Sequence, residues 1–263
     1  MRILVRYLNI TCRFIFCSKA TVWETRLRLL KQEAQRMLRH SVTVVLLAIH
    51  PMIVWAAEPE AVRSITLEEL SRSLPKEPIN VVFDVDDTVL FTSPGFQWGS
   101  RKYGADIVSA GVSIREEDLP GEEQRRKYRE FWTRMNNELD EFSVKKWIAV
   151  ELIALHKSRG DRIYFVTKRI FTGTERLTET LRREFGLPAD SPAVIFTNRQ
   201  EKTASFRSIK AHLSYGDSDG DIRESIRAGA RPIRVVRSRA SVNHDPTHNG
   251  AFGEEVLRNS END

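Results

Sequence analysis

Val81-Val82-Phe83-Asp84-Val85-Asp86-Asp87-Thr88-Val89-Leu90-Phe91 is an apolar, β-branched run broken by three carboxylates. An apolar run with no alternation reads as a strand buried on both faces, and therefore as part of a parallel sheet in an α/β domain. Ligands of such sheets bind beyond the carboxyl ends of the strands, which puts Asp84 and Asp86 where chemistry is done. Positions i and i+2 of an extended segment point the same way, so two carboxylates are expected to face one pocket. Facing carboxylates repel unless a shared proton or a cation stabilises them, and oxygen ligands of this kind suit Mg2+. The alternative is an Asp-rich turn after a strand. Three later stretches decide between them.

Downstream, strands and helices alternate. Asp161–Thr167, Ala193–Phe196, Leu213–Tyr215 and Pro232–Val236 read as strands; Val144–Ser158, Thr174–Phe185, Thr203–Leu213 and Asp221–Ala228 read as helices. Ser143 is the expected cap of the first helix and Gly160 its stop. Upstream, Thr66 and Glu69 fit a capping box for a short helix that Pro75 and Pro78 end. Thr92–Phe96 reads as a turn, and about 97–140 as a small helical insertion over the site. The alternation predicts an α/β fold, a doubly wound parallel sheet with right-handed crossovers.

Of 263 residues, 41% are apolar, ample for a sizeable core in one or two domains. The formal charge of +5 suggests a polyanion partner, but its distribution argues otherwise. Nine of the 41 Lys/Arg and two of the 36 Asp/Glu precede Ala57, leaving 32 basic against 34 acidic residues, near −2. No nucleic-acid partner is expected. From Met37, a basic stretch, an apolar run and Val54-Trp55-Ala56 form a signal-peptide pattern over 37–56, which predicts export, with 57–263 as the mature domain. His50 and Pro51 interrupt the apolar run well short of a bilayer span, so no stable membrane anchor is expected. Residues 1–36, with an amphipathic stretch at Val22–Leu38, read as an extension upstream of the true start or as a long leader segment. Both cysteines, Cys12 and Cys17, lie there, so the mature chain is expected to hold no disulfide, thiol nucleophile or lipidated terminus.

Tyr215-Gly216-Asp217-Ser218-Asp219-Gly220-Asp221 is a second carboxylate cluster at a strand end. It lacks the distal Glu of a calcium loop, and two acidic strand ends in one sheet more simply make one metal site. Thr167 ends another strand, with a hydroxyl and free N–H groups suited to phosphate. Lys202 begins a helix and offers a point charge.

Together these residues resemble the four motifs of the haloacid dehalogenase superfamily of phosphotransferases. Phe83–Phe96, Phe131–Asn137 with Asp140–Ser143, Arg159-Gly160-Asp161 with Phe165–Thr167, Tyr215–Asp219 and Gly250–Val256 are similar to the bacterial class B acid phosphatases over most of 79–257. That resemblance implies Asp84 as nucleophile and Asp86 as general acid and base. It implies one Mg2+ per subunit on Asp84, the Asp86 backbone carbonyl and Asp217, oriented by Asp221. Thr167, the backbone at Lys168 and Lys202 would bind the phosphoryl oxygens; Phe96 and Trp132 are candidate pocket walls. It also implies a periplasmic homotetramer acting on small phosphomonoesters such as nucleotides, with phosphotransfer to alcohols. Two departures stand out: Lys168 replaces the family's Gly, and 97–130 is longer while Asn198–Glu201 is shorter. The competing expectations are a phosphate-ester binding protein that Lys168 has deprived of turnover, and a lipid-anchored phosphatase, which the missing lipobox cysteine opposes.

Overall fold

The computed structural model describes residues 62–104, 116–243 and 245–262, together with Gln32 alone. The chain divides into two units, Met1–Glu58 and Pro59–Asp263, and only the second is described below. The expected extension, the signal peptide with its cleavage point, both cysteines and residues 105–115 of the insertion lie outside the described residues.

Seven parallel strands form the main sheet. In chain order they are β1 (Ser64–Ile65), β2 (Asn80–Phe83), β5 (Arg162–Thr167), β6 (Ile195–Phe196), β7 (Leu213–Gly216), β8 (Arg231–Val235) and β9 (Glu255–Leu257). Their spatial order is β1-β9-β8-β7-β2-β5-β6, so β2 is central. Val81, Val82 and Phe83 are fully buried, and their side chains divide between the two faces. Val81 and Phe83 join a cluster with Ile148, Leu152, Leu177 and Leu181, whereas Val82 joins Val166, Phe206 and Ile209 on the other side. A strand buried on both faces has no polar alternation, which is why its sequence reads as one apolar run.

Helices cover both faces. Trp147–Arg159 and Leu177–Phe185 pack on one side and Thr203–Ile209 on the other, and Asp219–Ala228 supplies Ala228 to that second cluster. Register aligns the strand ends: Phe83 pairs with Phe165 on one side and Tyr215 on the other, and the Phe83 and Tyr215 rings stack at 4.6 Å. The chain runs from β2 out to β5 and β6 and returns to β7 across β2. The crevice between β2 and β7 is thus a topological switch point, where α/β sheets bind ligands.

Two expectations need correction. Thr92–Phe96 is not an isolated turn, because Ser93–Gly99 is helical, with Pro94 in the first turn where a missing N–H does no harm. Its glycines permit close packing: a Cβ on Gly95 would lie 2.4 Å from the Leu139 carbonyl oxygen. The helix expected from Val144 begins at Trp147 instead, without a side-chain cap. Val144–Lys145 (β4) pairs antiparallel with Leu90–Phe91 (β3), a small sheet that sequence patterning does not foretell. The edge strands β1 and β9 are likewise too short to leave a period.

The insertion holds a helix at Glu122–Asn137 and a 3₁₀ turn at Leu139–Phe142. Phe131, Met135 and Leu139 form its own small core, with Phe96 and Trp132 packed against it.

Candidate active site

Asp84 follows directly on β2, and its backbone N–H still donates to the Tyr215 carbonyl at 2.9 Å. The chain then turns sharply, and Asp87 takes a left-handed conformation with φ 59°. A non-glycine residue there carries strain of order 1 kcal/mol or more, a pattern common at functional loops. Across the crevice, Ser218 caps the helix Asp219–Ala228 in a reciprocal box with Asp221. The Ser218 hydroxyl donates to Asp221 Oδ2 at 2.6 Å, which fixes the rotamer of that carboxylate. Gly216 is required for this approach, since a Cβ there would lie 2.4 Å from the Asp221 Cβ.

Asp84, Asp217 and Asp221 therefore converge, with ligand oxygens within 4.8 Å of one another. Lys202 enters from the N-cap position of the helix Thr203–Ile209, almost wholly buried, and its ammonium donates to Asp84 Oδ1 and, at 2.7 Å, to Asp221 Oδ1. The Thr88 hydroxyl lies 3.0 Å from Asp84 Oδ2 and 3.3 Å from Asp217 Oδ1. Arg237 donates to Asp217 Oδ2 at 2.6 Å and is itself held by the carbonyls of Asn243 and Asp245.

These surroundings set the charges. Burial pushes the Asp84 carboxyl well above its usual range, and Asp221 and Asp217 add to that while Lys202 opposes it. Asp217 is pushed up to about 7 by burial, reinforced by Asp221 and Asp87 against the pull of Arg237. For Asp221 burial also raises, but Lys202 and Ser218 outweigh it and hold the group below the usual range. Burial tends to lower Lys202, yet Asp221 and Asp84 overcome it and keep the ammonium charged. Three buried carboxylates thus face two cations, and two of the three resist ionising. A cluster of hard oxygen donors short of positive charge fits a divalent cation.

Asp86 stands apart from that group. Arg169 grips its carboxylate side-on, Nε at 3.0 Å from Oδ2 and Nη2 at 2.8 Å from Oδ1. The hydroxyl of Thr167, fully buried at the end of β5, is 3.5 Å from Asp86 Oδ2. Burial raises Asp86, but the charge and hydrogen bonds of Arg169 prevail and hold it below the carboxylate range.

Of the sequence-derived candidates, Asp84, Lys202, Asp217 and Asp221 are brought together, and Asp221 sits within the carboxylate group rather than behind it. Thr167 borders the site through Asp86. The Lys168 side chain goes elsewhere, donating to Glu224 at 2.7 Å. Its backbone is not among the left-handed residues, so a side chain carries no conformational penalty at this position. Glu224 also accepts the Lys202 N–H at 2.8 Å. Phe96, on the helix Ser93–Gly99, meets Trp132 of the insertion at 6.1 Å, and Arg199 stacks 4.9 Å from the Trp132 ring. Sequence reading missed Thr88, Asp140, Arg169 and Arg237. Thr88 lies inside the decisive motif and Arg169 two residues past Thr167, so proximity to a strand end was the available signal.

A family model described as HAD superfamily, subfamily IIIB (acid phosphatase) matches residues 56–241. The chain is 40% identical over 211 residues to the class B acid phosphatase of Rahnella sp. (strain Y9602), covering 78% of this chain and 83% of that protein. It is 39% identical over 210 residues to the class B acid phosphatase of Morganella morganii, with the same coverage. A solved structure, a predicted phosphoglycolate phosphatase from Haemophilus somnus 129pt, shares the fold at a TM-score of 0.51 and 13% identity, covering 72% of this chain and 96% of that chain.

Proposed function

We infer that this chain, which belongs to the class B acid phosphatases, subfamily IIIB of the HAD superfamily, hydrolyses small phosphomonoesters through a phosphoryl group carried on Asp84. The observation that carries this reading is the pairing of a buried strand-end carboxylate, Asp84, with the Lys202 ammonium and two further carboxylates. Asp84 forms a bond to phosphorus as the bond to the leaving oxygen breaks, and Asp86 gives that oxygen its proton. Asp86 then takes a proton from the water that attacks the acyl phosphate, releasing inorganic phosphate and restoring Asp84. An alcohol in place of water yields phosphotransfer. Arg169 favours the ionised form of Asp86; an arriving phosphate dianion works against it and favours proton uptake.

Thr167, the backbone at 168 and Lys202 are the groups proposed to hold the non-bridging oxygens, where charge resides in a loose transition state. Asp84, Asp217 and the Asp86 backbone carbonyl, with Asp221 beside them, would hold Mg2+, which offsets phosphate charge against the nucleophile. Phe96 and Trp132, only partly buried against the core of the insertion, are the residues proposed to wall the leaving-group pocket for a flat group such as a nucleoside. Export to the periplasm, removal of residues 37–56 as a signal peptide and assembly as a homotetramer belong to the same proposal. No described helix is long and apolar enough to cross a membrane.

The test is phosphate release from p-nitrophenyl phosphate and a nucleoside monophosphate by protein stripped with EDTA. Mg2+ should restore release from both, and Asp84→Asn should abolish it in a folded protein. Full activity in Asp84→Asn would overturn the reading.

A further inference from the structure

Arg169 is nearly buried and faces two carboxylates that come from different parts of the chain. Its Nε and Nη2 take Asp86 side-on, while Nη1 donates at 2.6 Å to Oδ2 of Asp140, in the 3₁₀ turn that ends the insertion. Asp140 is itself almost fully buried. A second tie runs alongside: Asn136, on the last turn of the insertion's helix, donates to the Ile170 carbonyl at 2.8 Å. The Arg169 N–H donates to the Thr167 hydroxyl at 3.2 Å, so the same residue is fixed to the strand end proposed to hold phosphate. Asp86 has a more exposed side chain than either neighbour, and only a planar fork can hold its two oxygens in one orientation while also reaching Asp140.

We propose that Arg169 is the positioning residue for Asp86, and that Asp140 makes this positioning depend on the seating of the insertion. The proposal rests on the reading of Asp86 as acid and base. The guanidinium fixes the Asp86 carboxylate beside Thr167, on the side of the site that faces the insertion, so the leaving oxygen departs toward the insertion. Substrates that need a proton on the leaving oxygen then depend on the insertion being docked; those with good leaving groups do not.

The test is leaving-group dependence in Arg169→Lys, which keeps the charge and loses the fork. General acid catalysis contributes about 10²–10⁴-fold, and misplacement by about 1 Å costs on the order of 10²-fold. Arg169→Lys is expected to lose on the order of 10²-fold in kcat/KM on an alkyl phosphate and about threefold on p-nitrophenyl phosphate. In an Asp86→Asn background the alkyl loss should shrink to about twofold. Asp140→Asn, which leaves the Arg169–Asp86 fork in place, should give the same bias at about tenfold, and it decides the matter if Arg169→Lys does not fold. Equal losses on both substrates, or an undiminished loss in the Asp86→Asn background, would overturn the proposal. If Asp86→Asn alone loses equally on both substrates, the reading of Asp86 fails instead; if it is biased while Arg169→Lys and Asp140→Asn are not, only the positioning role falls.

Discussion

Gly216→Ala puts a methyl carbon 2.4 Å from the Asp221 Cβ and 2.9 Å from its Cγ, where contact normally begins near 3.4 Å. Rotation of Asp221 would move its Cγ but leave its Cβ in place, so only a shift of backbone relieves the clash. The strand end and the helix must separate, which strains the Ser218 cap and the Lys202 bond to Asp221, and overpacking of this kind costs about 1–3 kcal/mol. A loss of about 2–3 kcal/mol lowers Tm of a domain of this size by roughly 4–12 °C. Chemical unfolding with Gly216→Ala should show this loss, together with a large fall in phosphatase activity. In an Asp221→Gly background, which removes both clashing carbons, the same change should cost under about 1 kcal/mol. A parent-like unfolding midpoint in the single variant would refute the claim that Gly216 is there to let Asp221 reach the site.

Metal should act on stability as well as on rate. Because burial and mutual repulsion hold Asp84 and Asp217 above their usual range, Mg2+ at a hundred times its Kd should add about 2.7 kcal/mol to unfolding, and Asp217→Asn should abolish that increment in a thermal melt. Acid should destabilise the fold through a buried pair on the far side of β2. Burial holds His156 below 6.5, so the unfolded chain takes the proton first and stability falls as pH drops below about 6.5. Asp161 is lowered by His156, the Ile79 N–H and Arg159 despite its burial, and its contribution is lost only at lower pH, as pH falls through its folded value. His156→Gln should therefore flatten the slope of unfolding free energy below pH 6.5; an unchanged slope would assign that slope to other groups. Lys168→Gly leaves the buried Glu224 carboxylate with the Lys202 N–H as its remaining partner, which costs about 1–3 kcal/mol of stability, while activity should change by less than about threefold. A gain beyond tenfold would instead favour the binding protein whose turnover Lys168 suppresses.

The fold was legible where one residue type dominates a run. β2 is apolar because both its faces are covered, and the carboxylates that break it mark a strand end. Asp217 and Asp221 were legible for the same reason, with Ser218-Asp219-Gly220-Asp221 adding a capping signature. What escaped depends on approach between distant segments. Asp140 meets Arg169 across 29 residues, and Arg237 reaches Asp217 across 20. For Lys168 the position was readable but not the direction of its side chain, which Glu224 on another helix decides. At Thr92–Gly99 the Pro-Gly signal pointed to a turn; helix formation won because Gly95 and Gly99 let this segment pack on Leu139 and Met135.

The central claim is that Asp84 carries the phosphoryl group, and acid quenching of the protein during turnover of p-nitrophenyl phosphate with Mg2+, followed by peptide mapping, tests it directly. The expected result is a single phosphoryl group on Asp84, absent from Asp84→Asn. A phosphoryl group on any other residue would contradict the account, as would steady turnover in Asp84→Asn.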